Sequence, residues 1–69
     1  MECRGTVYKL LPTGAALLRG ADGMRYYMPR GEALGHSPRV GDAFSFDVER
    51  TPRGPLAVGA KFLEAGIRV

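Results

Sequence analysis

The sequence predicts an all-β domain in which five short antiparallel strands close into a small barrel. Apolar and polar residues alternate with a period of two over residues 43–50, as on a strand with one buried face. Ten glycines and five prolines divide the chain into pieces too short for a long helix. Closure into a barrel removes the exposed strand edges of so small a sheet. With 69 residues, the chain has room for one domain, residues 1–69, and one thin core.

The strand over residues 43–50 begins a predicted hairpin. Proline and glycine in the segment 51–55 turn the chain, and the apolar run 56–63 forms the returning strand. Three further strands are predicted upstream, at residues 5–11, 15–19 and 24–28. The predicted core residues are Val7, Leu18, Phe44, Phe46, Val48 and Phe62.

The end of the third strand and the connection that follows it are also predicted. Pro29 ends the strand because proline has no amide to donate to a ladder. The long connection 30–41 is expected to hold one helical turn, at residues 32–34.

The register of the third strand decides which of its two tyrosines faces outward. We predict that Met24, Tyr26 and Met28 face the core. Arg25 and Tyr27 then face solvent, because the opposite register would bury an unpaired guanidinium at a large energetic cost.

Positive charge is concentrated in the first half of the sequence, and the formal net charge of the whole chain is +3. Residues 3–30 carry five basic side chains against Asp22 alone, whereas residues 31–69 carry five bases and five acids. A polyanion would therefore bind the N-terminal half. The alternative reading is that this charge serves only solubility.

The single cysteine, Cys3, excludes an intramolecular disulfide and favours a reducing compartment. The N-terminus lacks the basic start and apolar run of a signal peptide, and no segment approaches the roughly 18 apolar residues of a membrane span. We therefore expect a soluble cytoplasmic protein.

Candidate catalytic residues are few. His36 is the only histidine, and no cysteine or acid stands at a spacing typical of a triad or a metal site. The glycines match neither a phosphate loop nor a dinucleotide fingerprint. We expect no enzymatic activity, metal or cofactor, a packing or solvated role for His36, and a core or edge position for Cys3.

Four short segments resemble, in their order and spacing, the cold-shock domain family. They are Arg4-Gly5-Thr6-Val7, Asp22-Gly23, the segment 40–49, and Arg53-Gly54-Pro55-Leu56-Ala57. The resemblance spans roughly residues 3–63. It implies a five-stranded antiparallel β-barrel of the OB type that binds single-stranded nucleic acid.

The chain departs from this family at the positions that stack on bases. In the segment that family members write Lys-Gly-Phe-Gly-Phe-Ile, Ala15 and Leu17 replace the two phenylalanines. Lys9 replaces a tryptophan, Pro29 replaces a histidine, and Tyr27 keeps an aromatic ring. The resemblance is therefore closer in fold than in binding residues.

Aromatic rings that stack on bases and cations that follow phosphates are the two groups a single-strand binder needs. The predicted nucleic-acid-binding residues are Tyr8, Lys9, Leu17, Arg19, Arg25, Tyr27 and Arg30. We expect weak, largely sequence-independent binding of single-stranded RNA or DNA on the face of the first three strands. The alternative is a protein interaction or homodimerisation module on that face, which Ala15 and Leu17 make smoother and more apolar. No membrane or small-molecule substrate is expected.

Overall fold

The computed structural model describes residues 2–66, which form five strands and no helix. The strands are β1 (Glu2–Leu10), β2 (Ala16–Gly20), β3 (Arg25–Met28), β4 (Ala43–Thr51) and β5 (Gly54–Glu64). They close in the order β1-β2-β3-β5-β4, with β4 paired back to β1. The predicted five-stranded barrel is confirmed, and its strand order is consistent with an OB-type barrel.

One strand pair corrects the prediction that every pair is antiparallel. β3 and β5 run parallel and pair at Tyr27 and Leu56, whereas all the other neighbouring pairs are antiparallel. The reason is topological. Strand directions cannot alternate all the way round a closed ring with an odd number of members, so one neighbouring pair must share a direction.

The core lies inside this ring and includes most of the residues that the alternation predicted. The predicted core residues that are at most 1% exposed are Val7, Leu18, Phe44 and Phe46. Val48, also predicted to be buried, is only partly buried and packs against the edge of the cluster. Two alanines of β5, Ala57 and Ala60, are fully buried and allow β5 to approach the rings closely.

Phe62 was predicted to be buried and is 39% exposed, so that prediction is wrong. Phe62 pairs directly with the fully buried Phe44 and therefore faces the same side of the sheet, but it lies near the end of β5. The Phe62 ring lies at the margin of the core, where it is stacked on His36 at 4.0 Å and meets Phe44 edge to face at 5.8 Å.

The register predicted for β3 is confirmed within the strand. Tyr26 and Met28 are buried, whereas Arg25 and Tyr27 are exposed. Met24, predicted to face the core, is 48% exposed because it lies in the turn before β3. Its carbonyl oxygen closes that turn by accepting a backbone hydrogen bond of 2.7 Å.

The connection between β3 and β4 is extended where a helical turn was expected at residues 32–34. Ala33 forms a parallel bridge with Ala60 of β5. The Ala60 amide donates to the Glu32 carbonyl at 2.8 Å, and the Leu34 amide donates to the Ala60 carbonyl at 3.0 Å. These backbone groups are thus paired with β5, which leaves them no partners within a helical turn.

A buried carboxylate anchors the same connection. Asp42 accepts hydrogen bonds from His36 Nε2 at 3.0 Å and from the Arg39 amide at 2.9 Å. Burial alone would raise the pKa of Asp42, but these hydrogen bonds and the nearby positive charge outweigh it and hold that pKa below its usual range. His36 therefore packs within its loop.

Candidate nucleic-acid interface

The outward side chains of the first three strands form one continuous surface, here called the outer face. Its members are Thr6, Tyr8 and Lys9 of β1, Leu17 and Arg19 of β2, and Arg25 and Tyr27 of β3. Leu17 is partly buried, and the others are exposed. Apart from Arg30, every predicted binding residue lies on this surface.

A β-bulge explains how two consecutive residues of β1 reach the outer face together. Val7 pairs with Leu18 and Lys9 pairs with Leu17, so Tyr8 is an extra residue without a partner in β2. Strict alternation would send either Tyr8 or Lys9 into the core. The bulge instead leaves both exposed, which is a common use of bulges near binding surfaces.

One row across the three strands is largely apolar. Lys9 pairs with Leu17, Leu17 pairs with Tyr27, and Tyr27 pairs in turn with Leu56 of β5. Tyr27 is 39% exposed, and its hydroxyl makes no hydrogen bond within residues 2–66. This row offers a ring and flat apolar surface beside one ammonium group.

The neighbouring row is cationic. Thr6 pairs with Arg19, and Arg19 pairs with Arg25. The Arg19 guanidinium lies over the Tyr8 ring, 5.4 Å from its centroid, in a cation–π contact. The aromatic residue in the bulge therefore supports an arginine of the next strand.

The charge of the outer face is of one sign. The strand segments 6–10, 16–19 and 25–28 contain three basic residues and no aspartate or glutamate. Among the described residues, the only basic and acidic side chains within ion-pair distance are His36 and Asp42, and neither belongs to this face. Lys9, Arg19 and Arg25 thus have no carboxylate partner in the part of the chain that the structure describes.

An open groove of about 700 Å³ adjoins Tyr27 where the β4–β5 turn passes β3. Its lining includes Pro52, Arg53, Pro55 and Leu56. Sequence reasoning read this segment as a turn and the start of the fifth strand, and did not place it beside Tyr27. The signal that could have placed it beside Tyr27 is the parallel pairing forced by an odd number of strands, which brings the start of β5 next to β3.

Arg30 does not join the outer face. Its side chain lies beside Gly14 in the β1–β2 turn, and it lines a separate cavity of about 440 Å³ with Leu10, Met28 and His36. Arg19 and Arg25 pair at the opposite end of β2 and β3. The predicted cations are therefore divided between the two ends of these strands.

Other candidate chemistry is sparse in the described range. No group of three or more His, Cys, Asp or Glu side chains within residues 2–66 is placed to hold a metal ion. Cys3 is a free, partly buried thiol of β1 that packs against the core. No helix in residues 2–66 has the length and apolar character needed to cross a bilayer.

No protein-family model matches the chain, and no curated protein is significantly similar to it in sequence.

Proposed function

We propose that this chain binds single-stranded nucleic acid, RNA or DNA, through its outer face, as a divergent cold-shock-like domain. The observation that carries the proposal is that a largely apolar row holding the exposed Tyr27 ring lies beside a cationic row, on one surface that holds no carboxylate. Bases would stack in the first row, and phosphates would lie along the second. The strand order of the barrel supports the resemblance to that family.

Tyr27 is the free stacking ring of the proposed site. It is exposed, and the groove beside it is also lined by Pro52 and Pro55, so a base stacked on Tyr27 would lie next to these prolines. Each lost stack costs a single-strand binder about 1–3 kcal/mol. Because Ala15 is buried and Leu17 has no ring, the chain is expected to bind in the micromolar range or more weakly.

The first experiment measures anisotropy of a labelled oligonucleotide of ten or more nucleotides, starting at low salt. Tyr27→Leu keeps apolar bulk without the ring, so affinity should fall about fivefold or more for every base composition. Tyr27→Phe keeps the ring and should bind like the parent. Equal binding by the Leu variant would contradict base stacking at Tyr27.

The two lysines of the chain provide a matched pair for the electrostatic part. Lys9→Gln removes a cation from the outer face, whereas Lys61→Gln removes one from β5. Each phosphate neutralised contributes about −0.7 to the slope of log K against log salt for single strands. We expect Lys9→Gln alone to reduce the slope by that amount, and equal slopes would place the strand elsewhere.

The protein-interaction alternative predicts a different pattern. The oligonucleotide would not bind even at low salt, and the Tyr27→Leu variant would change self-association or partner binding instead. Sedimentation velocity over a concentration series measures self-association directly, and that combined result would replace the nucleic-acid proposal.

A further inference from the structure

Arg19 and Arg25 occupy directly opposed positions on β2 and β3. Side chains so placed start about 5 Å apart, and like charges in this arrangement repel. Within residues 2–66 neither guanidinium has an ion-pair partner. The pair is thus unfavourable for the barrel alone, and an anion between the two side chains would make it favourable.

The acidic groups nearest in the chain do not fill that role. Both Asp22 oxygens accept hydrogen bonds, from the Met24 amide at 2.9 Å and from the Tyr26 hydroxyl at 2.7 Å. Glu64 lines a shallow groove together with Arg19, without reaching ion-pair distance. The two guanidinium groups are therefore free to meet a ligand.

Tyr8 adds the second observation. Its ring lies under the Arg19 guanidinium at 5.4 Å, so the long side chain of Arg19 is held against the sheet. A guanidinium fixed in this way loses less rotamer freedom when it forms hydrogen bonds. The hydroxyl of Thr6, the β1 partner of Arg19, lies on the same side and makes no hydrogen bond within residues 2–66.

We propose that Arg19 and Arg25 form a clamp for one phosphate group, with Tyr8 as the residue that positions Arg19. The clamp rests on the proposed function, because it assigns the phosphate of a bound strand to the cationic row and the base to Tyr27. Guanidinium suits this task since its fork donates two parallel hydrogen bonds to phosphate oxygens. Tyr8 is then a positioning residue and does not itself stack on a base.

The test uses inorganic polyphosphate, which carries the phosphates without the bases, and measures binding to the full chain by calorimetry at several salt concentrations. Arg19→Lys keeps the charge and loses the fork, so affinity should fall about tenfold with an unchanged salt slope. Arg50→Lys changes an exposed arginine of β4 in the same way and should bind like the parent. Parental affinity in the Arg19→Lys variant would overturn the clamp.

The role of Tyr8 is tested separately. Tyr8→Phe keeps a ring under the guanidinium and should preserve polyphosphate affinity. Tyr8→Leu should weaken it severalfold without altering the salt slope, since no charge is lost. If Phe and Leu variants bind alike, the positioning role is wrong.

The same variants separate this inference from the proposed function. If the oligonucleotide depends on Tyr27 but not on the Arg19 fork, strand binding stands and the clamp fails. A second outcome is that polyphosphate binding depends on the Arg19 fork, while the oligonucleotide binds no more tightly than polyphosphate and Tyr27→Leu leaves its affinity unchanged. The clamp is then a site for phosphate alone, and the strand-binding proposal fails. Inorganic phosphate as a competitor shows whether one phosphate suffices to occupy the clamp. Circular dichroism of each variant verifies the fold.

Discussion

Tyr26 and Tyr27 are neighbours in β3, and they face opposite sides of the barrel wall. Tyr26 is 4% exposed, meets Phe46 edge to face at 5.1 Å and donates its hydroxyl to Asp22. Tyr27 is 39% exposed, and its hydroxyl is without a partner in the described range. The inner side of the wall thus commits its groups to the fold, while the outer side leaves them available to a ligand.

Charged groups follow the same division. Buried Asp42 has its hydrogen bonds satisfied by His36 and the Arg39 amide, whereas exposed Arg19 and Arg25 have no ion pair among residues 2–66. Substitutions inside should therefore alter stability, and substitutions outside should alter binding.

The largest expected effect comes from truncating an inner ring. Phe46→Ala removes a side chain that is 1% exposed, and the lost burial and the cavity left behind should cost about 3–5 kcal/mol. That is a large share of the roughly 5–15 kcal/mol typical of a domain. Tyr27→Ala, an outer ring, should cost at most about 0.5 kcal/mol. Urea denaturation monitored by circular dichroism compares the stability of the two variants. Similar midpoints would contradict the division between inner residues that govern stability and outer residues that govern binding.

The next effect concerns the buried carboxylate. Asp42→Asn weakens two hydrogen bonds to a charged acceptor, which should cost about 1–3 kcal/mol at neutral pH. Because the pKa of Asp42 is lower in the folded chain than in the unfolded chain, its contribution is present above about pH 4 and is lost as pH falls through the folded value.

The parent should therefore lose more stability on acidification than the Asp42→Asn variant does. Thermal melts between neutral pH and about pH 3 show whether the stabilities of the parent and the variant become more similar as the pH falls. Asp47→Asn, at an exposed site of β4, is the control. If the difference in melting temperature between the parent and the Asp42→Asn variant stays constant across this range, folding does not favour the ionised form of Asp42.

The smallest expected effect comes from removing the hydroxyl group of one tyrosine. Tyr26→Phe removes the donor to Asp22 and should cost about 0.5–1.5 kcal/mol, whereas Tyr27→Phe should change stability by almost nothing. The hydrogen bond to Asp22 raises the pKa of Tyr26 to about 12. The contribution of Tyr26 is thus present below its ordinary value of about 10 and disappears as pH rises towards 12. Equal melting of the two Phe variants near neutral pH would contradict this difference.

Local patterns in the sequence predicted the barrel wall well because each depends on few neighbours. The period of two in β4 located Phe44 and Phe46, and the cost of burying a guanidinium oriented β3. Phe62 and Met24 were misplaced because each lies near the end of an element, Phe62 close to the end of β5 and Met24 just before the start of β3. Neither feature has a strong signal in the sequence.

The candidate site was predictable in composition but not in arrangement. Reading the first three strands together collected most outer-face residues, including both members of the Tyr8–Lys9 pair. The bulge that exposes both, and the position of Arg19 over Tyr8, arise from pairing between strands. Arg30 was misgrouped because it lies past the end of β3, where the chain leaves the sheet.

The parallel join between β3 and β5 also bears on local motion. Tyr27 and Leu56 are its only pair within the two strands, and the Ala33–Ala60 bridge is the next link along β5. Sparsely bonded segments open more readily than long ladders, so amide protons here should exchange with solvent before those of the β1–β2 or β4–β5 pairs. A nucleic-acid strand bound to Tyr27 and the β4–β5 turn would span the pairing of β3 with β5 from outside the barrel. The bound strand would restrain local opening in this part of the barrel. Slower exchange of these few amide protons would then report that the site is occupied.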